Sequence, residues 1–449
     1  MKPLKLVYCF LMVAICASTS LPAADASKPN VLVILTDDQG RADYSACGTR
    51  DLRTPNIDRV FREGMTFENF YANSCVCSPT RAALLTGCFP HRVGVPGVIR
   101  DEPQNNWGWL SPHVTLLPQV LKPAGYHSAI IGKWHLGLES PNTPTERGFD
   151  FFHGFLGDMM DDYETHLRHG HNFMRRNLEV IEPQGHATDL FSQWACDYIA
   201  ERVTKPEPFF LYLAFNAPHD PIQPPAEWLA KVQQREPNLS DKREKLVALI
   251  EHLDYGIGRV LDTLDRTGLA KNTLVLFSSD NGGLLSAGAN NGQWRSGKTH
   301  MYEGGLRVPG AARWPGVIPP NSRSDGVTLT MDIFATACAA AGVKPPASVD
   351  GVSFLPTLRG EREPDAARDL YFVWLEGGQH GGKTVDAFRR GSWKLLQDSP
   401  FAPLELYNLQ IDPAEANNLA AKELKVFNEL SAVMRQEIQR GGRVPWQRP

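Results

Sequence analysis

The chain is poor in several features that would each have pointed to a class of protein. No internal repeat and no low-complexity tract runs through its 449 residues, which excludes a repeat array and a disordered scaffold. Charge of one sign is scarce. The 46 Lys and Arg face 50 Asp and Glu, a formal net charge of −4, so no broadly basic surface is expected and nucleic acid is not an expected partner. Long apolar runs are missing too. The run Leu6–Ala17 falls short of the roughly 20 residues a spanning helix needs, so no stable membrane insertion is expected. Cysteine is sparse: eight, of which six (Cys47, Cys75, Cys77, Cys88, Cys196 and Cys338) lie beyond the N-terminal segment. So few in so long a chain make no disulfide scaffold, and they lack the paired spacing of a structural zinc site.

What is present begins with a targeting pattern. Lys2 and Lys5 form a positive start, Leu6–Ala17 an apolar stretch, and Ala23–Ala24 or Ala24–Asp25–Ala26 a small-residue cleavage site. The reading is a signal peptide over residues 1–24 and a secreted or periplasmic protein. A retained anchor, or lipid attachment at Cys16, is the rival, but Ile15 stands where a lipoprotein signal wants a small residue.

From Pro29 onward, strand-like and helix-like stretches alternate, which argues for an α/β sheet. Asn30–Thr36, Tyr126–Ile131, Phe209–Phe215 and Thr273–Ser279 read as buried strands. Thr54–Pro55 opens a helix that Thr54 caps and Gly64 ends. A long amphipathic helix is expected over Asp241–Asp265, with Leu246, Leu249, Leu253, Ile257, Val260 and Leu264 inward, and another over Met331–Ala341. Arg359–Asp365 is linker-like. It divides a large domain, 28–365, from a small α+β subdomain, 366–449, with strands at Leu370–Leu375 and Trp393–Leu396 and a helix at Lys422–Arg440.

The chemistry follows the strands. After the first come Asp37 and Asp38; after the second, Lys133 and His135; after the third, Asn216 and His219; after the fourth, Asp280 and Asn281. Open α/β sheets bind ligands beyond the carboxyl ends of their strands. Adjacent carboxylates repel, and a divalent cation removes the conflict; an all-oxygen set of Asp37, Asp38, Asp280 and Asn281 suits a hard ion, calcium or magnesium. Taken singly, each of these residues is as readily a helix cap or an Asx-turn.

Cys77-Ser78-Pro79-Thr80-Arg81 precedes Ala82–Gly87, so Pro79 places Cys77 at a helix N-terminus, where the dipole favours anions. Arg81, one turn on, can return toward Cys77, and a thiol so placed is expected to be acidic and nucleophilic. The plain alternative is a buried cysteine at a helix start.

This motif resembles the signature of the type I sulfatases, in the alkaline-phosphatase-like superfamily. The blocks Leu35–Gly40, Gly132–Gly137, Arg147–Asp150, Ala217–Pro221, Gly297–Lys298 and Tyr302–Gly305, followed by Leu406–Leu409, Asp412, Pro413 and Glu415, are similar to the family's in the family's order. The resemblance implies a large mixed, mostly parallel sheet flanked by helices, with a short antiparallel sheet in the C-terminal subdomain. It implies that a maturation enzyme oxidises Cys77 to formylglycine, and that one calcium ion sits on Asp37, Asp38, Asp280, Asn281 and residue 77. In the mechanism it implies, the hydrated aldehyde attacks sulfur, helped by Arg81. Lys133 and Lys298 contact sulfate, and His219 protonates the leaving alkoxide while His135 accepts the second diol proton, or the two histidines exchange these roles.

The substrate class expected is a sulfated carbohydrate or other sulfate ester. Rival activities are an aryl sulfatase, a phosphonate or phosphodiester hydrolase on the same fold, and a non-catalytic binder of sulfated glycans. Two stretches remain. His166, His169 and His171 follow Asp161 and Asp162 in the region Gly157–His186, which is expected to form a cleft loop; they either face solvent and substrate or hold a second metal. Arg100–Trp109 either stacks on a sugar ring or serves the core and surface.

Overall fold

All seven residues of Asn30–Thr36 are buried, as a strand covered on both faces requires. The computed structural model, which describes residues 28–102, 105–365, 367–377 and 382–448, makes this run strand β1. The expected signal peptide, 1–24, lies outside the described residues. The further strands are β2 (Met65–Tyr71), β3 (His127–Lys133), β4 (Phe151–Phe155), β5 (Leu167–Arg168), β6 (His171–Asn172), β7 (Met174–Arg176), β8 (Glu179–Val180), β9 (Phe209–Ala214), β10 (Thr273–Ser279), β11 (Gly310–Arg313), β12 (Ser322–Leu329), β13 (Asp369–Leu375), β14 (Thr384–Arg390), β15 (Trp393–Gln397) and β16 (Glu405–Asn408). The helices are α1 (Pro55–Arg62), α2 (Cys77–Thr86), α3 (Leu117–Leu121), α4 (Ala187–Arg202), α5 (Ala226–Arg235), α6 (Asp241–Arg266), α7 (Glu303–Leu306), α8 (Asp332–Ala340), α9 (Leu355–Leu358) and α10 (Leu424–Gly441).

Ten strands form one mixed sheet in the order β12-β2-β11-β10-β1-β9-β3-β4-β7-β8. Its centre, β10 to β4, is parallel throughout, and antiparallel pairing begins only at β11 and β7. The period of two along β1 divides the core into two layers. Val31, Val33 and Leu35 pack with α2, α3 and α8, whereas Leu32 and Ile34 pack with α1, α4 and α6. The six positions expected to face inward on α6 are all buried. The region 157–186 is more structured than a loop: β5 and β6 form a hairpin, and β7 and β8 extend the main sheet.

Two helix ends differ from the sequence reading or go beyond it. Thr54 makes no side-chain cap to α1. The Asp254 carboxylate on α6 accepts instead from the amides of Asn56 (3.1 Å) and Ile57 (2.7 Å). At α4 the cap is His186, whose Nδ1 accepts from the Thr188 amide at 3.2 Å while Nε2–H donates to the Gln223 carbonyl at 3.0 Å.

The C-terminal sheet is antiparallel, in the order β13-β14-β15-β16, and α10 covers its outer face through Leu430 and Met434. Strands β14 and β16 have no counterpart in the sequence reading. A buried ion cluster joins this sheet to the main body. Lys394 of β15 lies 2.9 Å from Glu303 of α7 and 2.8 Å from Glu415, all three fully enclosed. Among the described residues none of the six cysteines is bonded to another, and no helix is long and apolar enough to cross a membrane.

Candidate active site

Strands β10, β1, β9 and β3 are parallel neighbours, so their carboxyl ends share one edge of the sheet. That edge gathers Asp280 and Asn281 after β10, Asp37 and Asp38 after β1, His219 beyond β9, and Lys133 and His135 at the end of β3. A fifth element, α2, brings Cys77 as its first residue and Arg81 one turn later, and every residue of this helix is buried. The loop before α7 adds Lys298. The approach of β3 to β9 depends on Gly132: with φ at +100°, any Cβ there would stand 1.9 Å from the Ala214 carbonyl oxygen.

The rim is dense in charge. Lys133 Nζ lies 2.5 Å from Asp37 Oδ2, and Arg81 reaches Asp280 at 2.7 Å and Asp37 at 3.2 Å. Lys298 Nζ lies 2.7 Å from Asp38 Oδ2 and 2.9 Å from His219 Nε2. Asn281 Nδ2 donates to Asp38 Oδ1 at 2.7 Å. Asp37, Asp38 and His219 each bring a ligand-type atom within 4.8 Å of the others, and so do Asp37, Cys77 and Asp280. Two buried oxygens, Asp37 Oδ1 and Asn281 Oδ1, have no donor facing them. Oxygens left without donors beside clustered carboxylates fit a hard cation, and these residues are the ones that would hold it.

Burial raises the Asp37 carboxyl, but Lys133, His219, Arg81 and Lys298 around it pull it well below the usual range. Burial, with Asp37 beside it, pushes Asp280 up to about 7. Burial and then Lys133 hold His135 far below an ordinary histidine, and burial and then Lys298 lower His219. Both rings are therefore neutral. His135 Nε2–H donates to the Ile99 carbonyl at 2.8 Å, which leaves Nδ1 as a buried acceptor with no donor. His219 Nδ1–H donates to the Asp220 carbonyl at 2.8 Å, which leaves Nε2 to accept from Lys298.

One expectation for Cys77 needs correction. Its thiol is not acidic: burial pushes it up to about 11, against the pull of Lys133 and Lys298 and with Asp37 and Asp280 adding to the rise. A helix N-terminus does not offset enclosure among carboxylates. Arg81 ion-pairs with the carboxylates of Asp280 and Asp37 and lies within electrostatic reach of Cys77.

Backbone strain collects here. Asp38 (φ 66°), His135 (φ 58°), and Ser296 and Thr299 (φ 63° and 72°), which flank Lys298, all occupy the left-handed region. Each costs on the order of 1–3 kcal/mol and persists only where the surroundings impose it.

The three histidines after Asp162 do not come together. His166 is buried against the Gly185 carbonyl, His169 pairs with Asp101, and His171 is exposed; among the described residues they form no metal-ligating group. Sequence reasoning missed the Ile99 carbonyl that orients His135 and the Asp101–His169 pair. A backbone acceptor and a pair 68 positions apart leave no local signal.

Comparison with known proteins fits this geometry. Residues 29–343 match the family described as Sulfatase, and residues 292–442 one described as N-sulphoglucosamine sulphohydrolase, C-terminal. The chain is similar to N-acetylgalactosamine-6-sulfatase of Mus musculus, 35% identical over 406 residues, which span 86% of this chain and 75% of that protein. It is also similar to N-acetylgalactosamine-6-O-sulfatase of Bacteroides thetaiotaomicron, 28% identical over 498 residues, 91% and 93% of the two chains. The solved structure of Ps i-CgsB in complex with k-i-k-neocarrahexaose superposes with a TM-score of 0.84 at 29% identity, covering 92% of this chain and 93% of that one.

Proposed function

The chain belongs to the sulfatase family and is a sulfuric ester hydrolase, and we propose that it is exported and removes sulfate from a sulfated carbohydrate, using a formylglycine made from Cys77 and one calcium ion. The carbohydrate is supported by relatives named for N-acetylgalactosamine 6-sulfate and by a structural neighbour bound to neocarrahexaose. The observation that carries the site is the position of Cys77, first residue of a buried helix, with its sulfur within 4.8 Å of carboxylate oxygens of Asp37 and Asp280.

Asp37, Asp38, Asp280 and Asn281, with residue 77, would hold the ion. When both groups are in place, the hydrated aldehyde supplies the attacking oxygen and the cation neutralises sulfate oxygens. Arg81 holds the Asp280 and Asp37 side chains in place through ion pairs of 2.7 and 3.2 Å. Lys133 and Lys298 place two ammonium groups where charge spreads over the sulfate oxygens in the transition state. His219 accepts from the Lys298 ammonium at Nε2, so in this role it relays to the leaving alkoxide a proton that Lys298 supplies. His135 presents Nδ1, buried and without a donor, as the atom that accepts the proton from residue 77. Acid–base groups so placed contribute about a hundred- to ten-thousand-fold each in rate.

The test is the mass of the peptide carrying residue 77, from protein made in its own host or beside a maturation enzyme, together with sulfate release from sulfated sugars. A mass matching formylglycine with release of sulfate is the expected result. An unmodified cysteine in protein that still releases sulfate removes the nucleophile from the account. Faster turnover of an aryl phosphonate than of the matched aryl sulfate favours the phosphonate hydrolase instead.

A further inference from the structure

Beside the catalytic rim lies a cavity of about 520 Å³, within the roughly 300–1,000 Å³ that small-molecule sites occupy. It adjoins the site through Ile99, whose amide donates to Ser78 Oγ at 3.0 Å, next to Cys77, and whose carbonyl accepts from His135. Leu136 and Gly137, directly after His135, form another part of its wall. The C-terminal tail closes the far side with Arg448, and Trp446 anchors that tail by stacking on Trp107 at 4.7 Å.

The charged groups of this cavity come in matched pairs. Arg100 is tied to the enclosed carboxylate of Glu376 at 2.7 Å, Asp101 to His169 Nδ1 at 2.9 Å, and Arg448 to Glu139. Among the described residues each cation lining it has an acid partner, so an additional sulfate or carboxylate would have to compete with Glu376 or Glu139 for it. The wall does supply an indole, Trp109, and a nearly enclosed carboxylate, Asp101, a group that can accept hydrogen bonds from hydroxyl or amide groups. His169 keeps a left-handed backbone (φ 49°), held by its amide's bond to Asp161 at 2.5 Å, while it orients Asp101.

We propose that this cavity receives a neutral pyranose, the ring that carries the sulfate ester, stacked on Trp109 and hydrogen-bonded to Asp101, and that it discriminates against a ring with a second anionic group. The proposal rests on the sulfatase reading above. The chain is therefore specific for a monosulfated, otherwise neutral sugar residue.

The test uses the matured full-length protein with a panel of galactose and N-acetylgalactosamine monosulfates (3, 4 or 6), N-acetylgalactosamine 4,6-disulfate, and 4-nitrophenyl sulfate. At least one monosulfate is expected to be cleaved with kcat/KM ten or more times that of the disulfate. In D101N, the ratio of kcat/KM for that sugar to that for 4-nitrophenyl sulfate is expected to fall about ten- to a hundredfold, the range for a lost charge-assisted hydrogen bond. In W109A the same ratio falls about three- to tenfold, as for a lost aromatic contact. Melting temperatures check folding, and the two variants fail independently. Release from 4-nitrophenyl sulfate with no monosulfate cleaved, a preference for the disulfate, or ratios unmoved in both variants overturns the pocket assignment alone. No release from any compound overturns the sulfatase reading and this inference with it.

Discussion

The Lys298 ammonium donates to His219 Nε2 at 2.9 Å, so the atom assigned to protonate the leaving group is held beside a permanent proton-bearing cation. Replacing His219 with Ala is expected to lower kcat by about 10²–10⁴ on a sugar sulfate, whose alkoxide is a poor leaving group. The loss should be at least tenfold smaller on 4-nitrophenyl sulfate, which needs little protonation. Steady-state kinetics on the two substrates decides it; equal losses would assign His219 to binding.

Removing the cation should cost stability as well as rate. Without an ion the carboxylates of Asp37, Asp38 and Asp280 face one another with two buried oxygens unpartnered. Dialysis against EGTA is expected to lower the melting temperature and abolish turnover, and calcium to restore both. An ion at a hundred times its Kd contributes about 2.7 kcal/mol. Asn281→Ala should shift the calcium midpoint to higher concentration. A melting curve that ignores both chelator and calcium would remove the ion from the account.

His186 gives the fold an acid-side weakness. Burial holds its ring down at about 4, against about 6.5 in an unfolded chain, and Nδ1 must stay unprotonated to cap α4. Between those values the unfolded chain binds the extra proton, so the unfolding free energy rises with pH from 4 to 6.5 and is lost as pH falls through that window. The total is on the order of 3 kcal/mol. Asn at this position caps without titrating, so H186N should flatten that part of the urea-denaturation profile.

Lys394 of the C-terminal sheet reaches α7 through the enclosed carboxylate of Glu303 and shares its charge with the enclosed Glu415. Lys394→Ala leaves both carboxylates buried without their shared cation and is expected to destabilise the chain by about 3–5 kcal/mol. Denaturation followed by fluorescence measures it. A change under 1 kcal/mol would mean that Arg307 alone compensates Glu303.

Much of the fold was legible because burial on both faces leaves an unbroken apolar run, as in Asn30–Thr36 and Phe209–Ala214. The rim was legible because each such run ends in a chemically loaded residue. What escaped depends on tertiary neighbours. Asp254 caps α1 from almost 200 positions away, and nothing near Thr54 announces it. Strand β14 alternates weakly (Thr-Val-Asp-Ala-Phe-Arg-Arg) and gains its identity from pairing with β13 and β15. The rise in the Cys77 pKa comes from enclosure among Asp37 and Asp280, which a local helix-dipole argument omits.

Helix α2 is buried along its whole length, and Cys77 itself is only 5% exposed. Any chemistry done to that sulfur by another protein has to be done while the segment is still open to it. If Cys77 is oxidised as proposed, the order in time is modification first and closure second, and a chain that folds early would keep its thiol.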